Sequence, residues 1–293
     1  MKTPKVIIAA AIFAAVVPQI SRAAELQRST LAAWSEYLTG ADSRMQSRIA
    51  SKQPFLWMDD SGDRAARARR GEVIVAPVKA NGMQGVPNGL IHDWIGVVFI
   101  PDATIDSLRA VLHDYDNYKQ VFRPLVTKSE TIACAEAKRE FLMVWQTRAL
   151  LVSVAMQGHY QAHDLRLDSH RGYTVSEATE VRDIAGYGHK NEHLLPPDTG
   201  NGFIWRIRSV ARYEERENGV YLEVEAIVLT RDIPASLSWM VSPVVNHLSI
   251  QSLTTTLRQT REAVTSQRGS VEGLASRRSP AGASNTANNS GME

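Results

Sequence analysis

The stretch from Trp205 to Val228 confines the fold more tightly than any other part of the chain. Two runs of alternating residues flank Asn218-Gly219, a pair favoured in two-residue hairpin turns because it tolerates a left-handed backbone. With Glu217 paired to Val220, one face carries Trp205, Ile207, Ser209, Ala211 and Tyr213 opposite Val220, Leu222, Val224, Ala226 and Val228. The other face carries Arg206, Arg208, Arg212 and Glu214 opposite Glu223 and Glu225, with Arg212 across from Glu225. Such a hairpin predicts an antiparallel sheet with its apolar face on a core and its charged face in water. The other arrangement turns the charges into a cavity as ligand hooks, at a heavy desolvation cost unless every group is paired.

The rest of the chain supplies partners for that hairpin. Leu31, Trp34, Leu38, Met45 and Ile49 fall along one side of a helix, a stripe that packs on the protein's own core. The basic run Asp63–Arg70 lacks interleaved aromatics and reads as a solvated helix face. Glu72–Val78 is a short strand, residues 81–89 a Gly/Asn/Pro loop, and Leu90–Ile100 a long strand. A helix with Ile105, Leu108, Val111 and Leu112 on one face follows Pro101-Asp102-Ala103-Thr104. Strands are expected near Pro124–Cys134, Arg139–Gln146, Leu150–Leu167, Gly172–Ile184, Gly202–Glu215 and Val220–Asp232. Ser242 and Pro243 then open a last helix whose inner face holds Val245, Leu248, Ser252, Thr256, Leu257 and Val264. This order predicts an α+β protein with helices lying against one face of a sheet.

The ends of the chain read differently. Residues 1–23 carry Lys2 and Lys5 before an uncharged apolar run from Val6 to Val17, then Pro18 and small residues up to Ala23, the pattern of an export signal cleaved after Ala23. An uncleaved anchor is the alternative, but the run is shorter than the ~20 apolar residues of a spanning helix. Ser266–Glu293 is rich in Ser, Gly, Ala and Asn and is expected to be a disordered tail. The expected organisation is a signal peptide over 1–23, an N-terminal extension over 24–88, a ligand-binding domain over 89–265 and the tail over 266–293. Removing Lys2, Lys5 and Arg22 leaves 30 basic against 31 acidic residues, so no global field favours nucleic acid. Cys134, the single cysteine, sits in an apolar stretch and reads as a small core residue; it allows no intrachain disulfide.

Two stretches carry a family likeness. IHDWIGVVFIPDATIDSLRAVLHDYDNYKQVFRPLVTKSE, from Ile91 to Glu130, resembles the opening of START-like proteins, the helix-grip superfamily that includes polyketide cyclases. The points of likeness are the strand ending at Ile100-Pro101, the helix after it, and Asp114-Tyr115-x-x-Tyr118 leading to Phe122 and Pro124. The stretch from Phe203 to Pro234, with the amphipathic helix after it, is similar to the family's last hairpin and closing helix. The resemblance implies a curved antiparallel sheet wrapped around a long C-terminal helix, with an apolar cavity between them for a lipid, sterol or polyketide-like molecule. Residues expected to line it are Trp205, Ile207, Ala211 and Tyr213 of one strand, Leu222, Val224, Ala226 and Val228 of the next, and Val245 and Leu248 of the helix. Small and bulky residues alternate along that face, so the pattern fits a cavity and a filled core alike.

Catalytic signatures are missing. There is no G-x-S-x-G, H-E-x-x-H, Walker A or G-x-G-x-x-G pattern, and no catalytic residue or cofactor is assigned. His159-x-x-x-His163 and His189-x-x-x-His193 have a helical metal-ligand spacing but lie in strand or loop context, so no metal site is assigned. His92 and Asp93, adjacent on a strand, point to opposite faces and do not act as a pair. Two functions remain: a non-catalytic carrier of a hydrophobic small molecule, with no stable membrane span after signal cleavage, and an aromatase/cyclase-type enzyme using Tyr213, Tyr221 or Arg208 in the same cavity. Oligomeric state is not legible.

Overall fold

The computed structural model describes residues 24–79, 81–135, 138–149, 152–200, 203–232 and 235–278, so the expected signal segment lies outside the described residues. After a two-residue strand β1 (Ala24–Glu25) comes helix α1 (Arg28–Ile49), which buries Trp34, Tyr37, Leu38, Ala41 and Met45 along one side. The expected stripe is thus largely the observed one, with Leu31 and Ile49 only half-buried at its margin. A 3-10 turn over Trp57–Asp60 leads into α2 (Gly62–Arg69), capped by the Ser61 side chain.

The sheet begins with the short β2 (Ile74–Pro77) and β3 (Met83–Val86), which pair in succession along one edge of β4 (Gly89–Pro101). β3 falls inside the stretch read as a loop. Helix α3 (Ile105–Leu112) follows; Thr104 accepts from the Ser107 N–H and the Ser107 hydroxyl accepts from the Thr104 N–H, a reciprocal cap. A short α4 (Tyr118–Val121) precedes β5 (Val126–Cys134), β6 (Lys138–Ala149), β7 (Val152–Arg166) and β8 (Arg171–Ala185). Two-residue strands β9 (His193–Leu194) and β10 (Thr199–Gly200) pair with β8 and β1. The hairpin β11 (Arg206–Glu215) and β12 (Gly219–Arg231) then returns to pair with β8 and β4, and α5 (Ala235–Arg278) closes the chain. Every pairing is antiparallel, in the order β2–β4–β12–β11–β8–β7–β6–β5, with irregular register in β5 and a bulge in the β7–β8 ladder. The expected α+β class and curved antiparallel sheet are what the chain forms.

Three expectations are corrected. The hairpin pairs Glu215 with Val220, and the left-handed backbone is adopted by Glu217 (φ 58°). Glu217 is held there because its carboxylate accepts from Arg69 at 3.0 Å and from the Tyr221 hydroxyl at 3.1 Å. Compared with pairing Glu217 to Val220 the register slips by two residues, an even number, so both faces keep their composition. Second, α5 starts at Ala235 rather than at Ser242, and Pro243 lies inside it. The helix also continues to Arg278, so the tail read as disordered from Ser266 is helical that far; residues 279–293 lie outside the described ones. Third, Cys134 ends the edge strand β5 and is exposed rather than in the core.

Both faces of the sheet are covered at β4 and β12. On the inner face Trp94, Val98 and Ile100 of β4 and Val220 and Leu222 of β12 pack with α3 and with Leu253, Leu257 and Val264 of α5. On the outer face Ile91, Ile227 and Leu229 pack under Trp34, Tyr37 and Leu38 of α1, and Val97 and Tyr221 under Leu56, Met58 and Ala68. The N-terminal extension is therefore a third layer rather than an appendage.

Candidate functional site

The register fixes which side chains face α5. Even-numbered residues of β12 and odd-numbered residues of β11 line the inner wall, so Ile207, Ala211, Tyr213, Leu222, Val224, Ala226 and Val228 all point where the sequence pattern put them. Trp205 does not. It precedes β11 and packs on the opposite side with Trp34, Ile227 and Leu229, because the chain has not yet entered the strand's alternation. Leu248 of α5 is half-buried, whereas the Val245 side chain lies outside the described residues. The helix's buried line is Leu253, Leu257, Thr260 and Val264, and Ser252 is exposed.

The inner wall is not uniform. Near the hairpin turn Tyr213, Val220 and Leu222 are fully buried beneath α3 and α5. Away from the turn Ile207, Ser209 and Ala211, with Val224, Ala226 and Val228 opposite them, keep part of their surface accessible. The wall continues across Ala178 and Ser176 of β8 to a cluster of Tyr115, Phe141, Trp145, Met156 and Tyr160, where Phe141 stacks between Tyr115 (4.0 Å) and Tyr160 (4.8 Å). An apolar wall with small residues at its centre and aromatic rings at one side suits an apolar molecule. Two surface grooves among the described residues lie elsewhere: one of about 550 Å³ between α2, the end of β4 and α5, and one of about 420 Å³ beside β2.

Two polar clusters interrupt the apolar packing. On the inner wall Asp164 of β7 accepts from Arg109, from the Thr174 hydroxyl at 2.8 Å and from the Tyr213 hydroxyl at 3.0 Å, with His113 Nε2 at 3.3 Å. Burial pushes its carboxyl up, but the bonds from His113, Thr174 and Arg109 outweigh it and hold Asp164 well below the usual carboxylate range. Burial raises the Tyr213 hydroxyl, and the neighbouring Asp164 charge raises it further. The cluster ties α3 to the sheet and leaves Tyr213 committed.

The second cluster overturns the expectation that the hairpin's charged face meets water. Arg212 is 2% exposed and Glu223 0%, and their side chains pair at 2.6 Å beneath the N-terminal layer. Glu223 also accepts the backbone N–H groups of Trp57 (3.0 Å) and Met58 (3.2 Å). Arg44 of α1 bridges Glu225 at 3.0 Å and Asp93 at 3.1 Å, and the Tyr37 hydroxyl donates to Asp93 at 2.7 Å. Asp93, Glu223 and Glu225 outnumber Arg44 and Arg212 by one charge. Burial, and the nearby Glu225 charge, push the Asp93 carboxyl up to about 7. These groups hold the extension in place.

Of the residues weighed for enzymatic work, Tyr221 lies on the outer face and Arg208 pairs there with Asp42; only Tyr213 faces the inner wall. His159 and His163 share one side of β7, with Glu140 at 3.8 Å from His159; His189 lies in a turn and His193 in β9. His92 and Asp93 point to opposite faces, as expected. The sequence reading missed Asp164 and Arg44, and weighed Asp93 only as a partner for His92. Arg44, half-buried between Ala41 and Met45 along the apolar side of α1, was the available signal for the second cluster.

No protein-family model matches the chain, and no curated protein is similar to it. Among solved structures it is similar to a STAR-related lipid transfer protein fragment from Xanthomonas axonopodis (17% identity, 66% of this chain and 98% of that one, TM-score 0.42). It is also similar to human STARD10 (10% identity, 74% and 87%, TM-score 0.40). A third similar structure is the Zhui aromatase/cyclase from Streptomyces sp. R1128 (11% identity, 60% and 94%, TM-score 0.40). The fold is read from the chain's own elements: a long strand, a helical connection, a run of antiparallel strands returning beside the first, and a C-terminal helix across the inner wall. With that order and that closure, the chain has the helix-grip fold expected from its sequence.

Proposed function

We propose that this protein binds a hydrophobic small molecule, a lipid, sterol or polyketide-like compound, between the inner wall of the sheet and α5. The observation that carries this reading is the change along the wall, from Tyr213, Val220 and Leu222 fully buried to Ala211, Val224, Ala226, Val228 and Ile207 still accessible. Covering such surface gains ~25 cal/mol per Å², so an apolar ligand needs few polar contacts. A carrier is favoured over a cyclase because Tyr213, the one enzymatic candidate on the inner wall, is bound to Asp164. The test is to purify the protein from its native cells, extract it and weigh what elutes. An apolar compound at near-equal stoichiometry is expected; repeated empty extracts with no fluorescence response to added lipids would overturn the reading.

We also infer export, on the strength of Lys2, Lys5, the Val6–Val17 run and the small residues before Ala24. Cell-envelope or medium fractions are expected to hold a chain beginning at Ala24, and an intact Met1 chain confined to the cytosol would refute it.

A further inference from the structure

We propose that the ligand is an uncharged molecule carrying a hydroxyl, and that His92 receives that hydroxyl's proton in a hydrogen bond. The inference rests on the carrier reading and specifies its polar contact. His92 stands on the inner wall of β4, paired with Val228, whose neighbour across the sheet is Ile207; both keep accessible surface. His92 itself is 4% exposed. Nε2 lies 3.0 Å from the Thr230 hydroxyl, and that hydroxyl has carbonyl acceptors of its own, Arg231 at 3.2 Å and Leu90 at 3.5 Å. Thr230 therefore gives its proton to a carbonyl and accepts from Nε2–H, which fixes the tautomer and leaves Nδ1 as an acceptor. Nδ1 is buried and has no partner. Burial pushes the ring's pKa down to about 4, so the imidazole is neutral at physiological pH and Nδ1 keeps its lone pair.

The helix brings a second such group. Leu257 lies against Gly96 of β4, and Thr265 and Ser266 flank the groove at Phe99 and Pro101, so α5 and β4 run in the same direction. Stepping back from Leu257 to Asn246 covers about 16 Å of helix, and from Gly96 to His92 about 13 Å of strand. Asn246 thus comes over the His92 end of the wall, on the same helical line as Leu253 and Leu257, and its Oδ1 is also buried without a partner. Two acceptors with nothing to accept match a ligand that brings a proton. A carboxylate brings none: it could take the unpartnered Nε1–H of Trp94 on the same wall, but would set its own lone pairs against both acceptors.

The test compares dodecan-1-ol, its methyl ether, dodecanoate and dodecane for binding to the purified full chain at pH 7.5, read by intrinsic tryptophan fluorescence or calorimetry. Dodecan-1-ol is expected to bind about tenfold or more tightly than the ether or dodecanoate. His92→Phe should abolish that preference, and His92→Gln, which keeps an acceptor, should retain it. Equal binding of alcohol and ether, or tighter binding of dodecanoate, would overturn the hydroxyl assignment and leave the carrier reading standing. Failure of all four probes to bind would remove both. The comparison on the unaltered protein decides the matter even if a variant does not fold.

Discussion

At the residue scale the decisive chemistry lies under the N-terminal layer, where three carboxylates meet two guanidiniums. A buried acid whose folded pKa is raised above its unfolded value favours the folded state only while it stays protonated. The Asp93 contribution is therefore fully retained below pH ~4, falls as pH rises through 4 to 7, and stays flat above. Asp93→Asn keeps an acceptor for Tyr37 and Arg44 and removes the surplus charge. Urea unfolding should show the variant gaining on the parent by about 2 kcal/mol between pH 5 and pH 8; parallel pH profiles would refute this account. Glu223→Ala is the opposite case. It strands the Arg212 guanidinium and the Trp57 and Met58 N–H groups, and should cost about 3–5 kcal/mol, visible as a large drop in the denaturation midpoint. The alternation of Arg and Glu along the hairpin was plain in the sequence. That it is buried was not, because burial depends on where a helix more than 150 residues away comes to rest.

At the element scale, local signals read well and boundaries set by distant contacts did not. The long strands, the face composition of the hairpin and the Thr104 cap follow from periodicity and capping chemistry confined to a few residues. The turn position was lost because Arg69 and Tyr221 hold Glu217, and the start of α5 because Ser242-Pro243 carries a start signal inside a longer helix. Trp205 was misassigned for a similar reason: alternation applies only within a strand, and β11 begins one residue later. The close seating of α5 on β4 is testable. A Cβ on Gly96 would stand 2.7 Å from Leu257 Cδ1 and 3.2 Å from the Ile74 carbonyl oxygen. Gly96→Ala should therefore push the helix outward and cost about 1–3 kcal/mol in a thermal melt, whereas an unchanged melting temperature would mean that α5 is not docked this closely.

At the scale of the whole molecule the fold class was legible and the site only half so. Seven of the eight hairpin residues expected on the inner wall are there, since parity survives an even register slip. Which of them remain accessible could not be read, because that depends on how far α5 extends over the sheet. Ala226→Trp should fill the accessible region and lower lipid binding at least tenfold with little change in stability, measured by ligand titration beside a denaturation curve; unchanged binding would mean that the ligand sits elsewhere. The two sides of the one sheet also differ in how they tolerate change. The outer side is locked by directional ion pairs, each of which fails if a single partner is replaced, while the accessible part of the inner wall, away from the Asp164 cluster, is lined by small and aliphatic side chains that accept substitutes of similar volume. Rigidity and selectivity are thus lodged in opposite walls, and mutations could retune what the molecule holds without touching what keeps it upright.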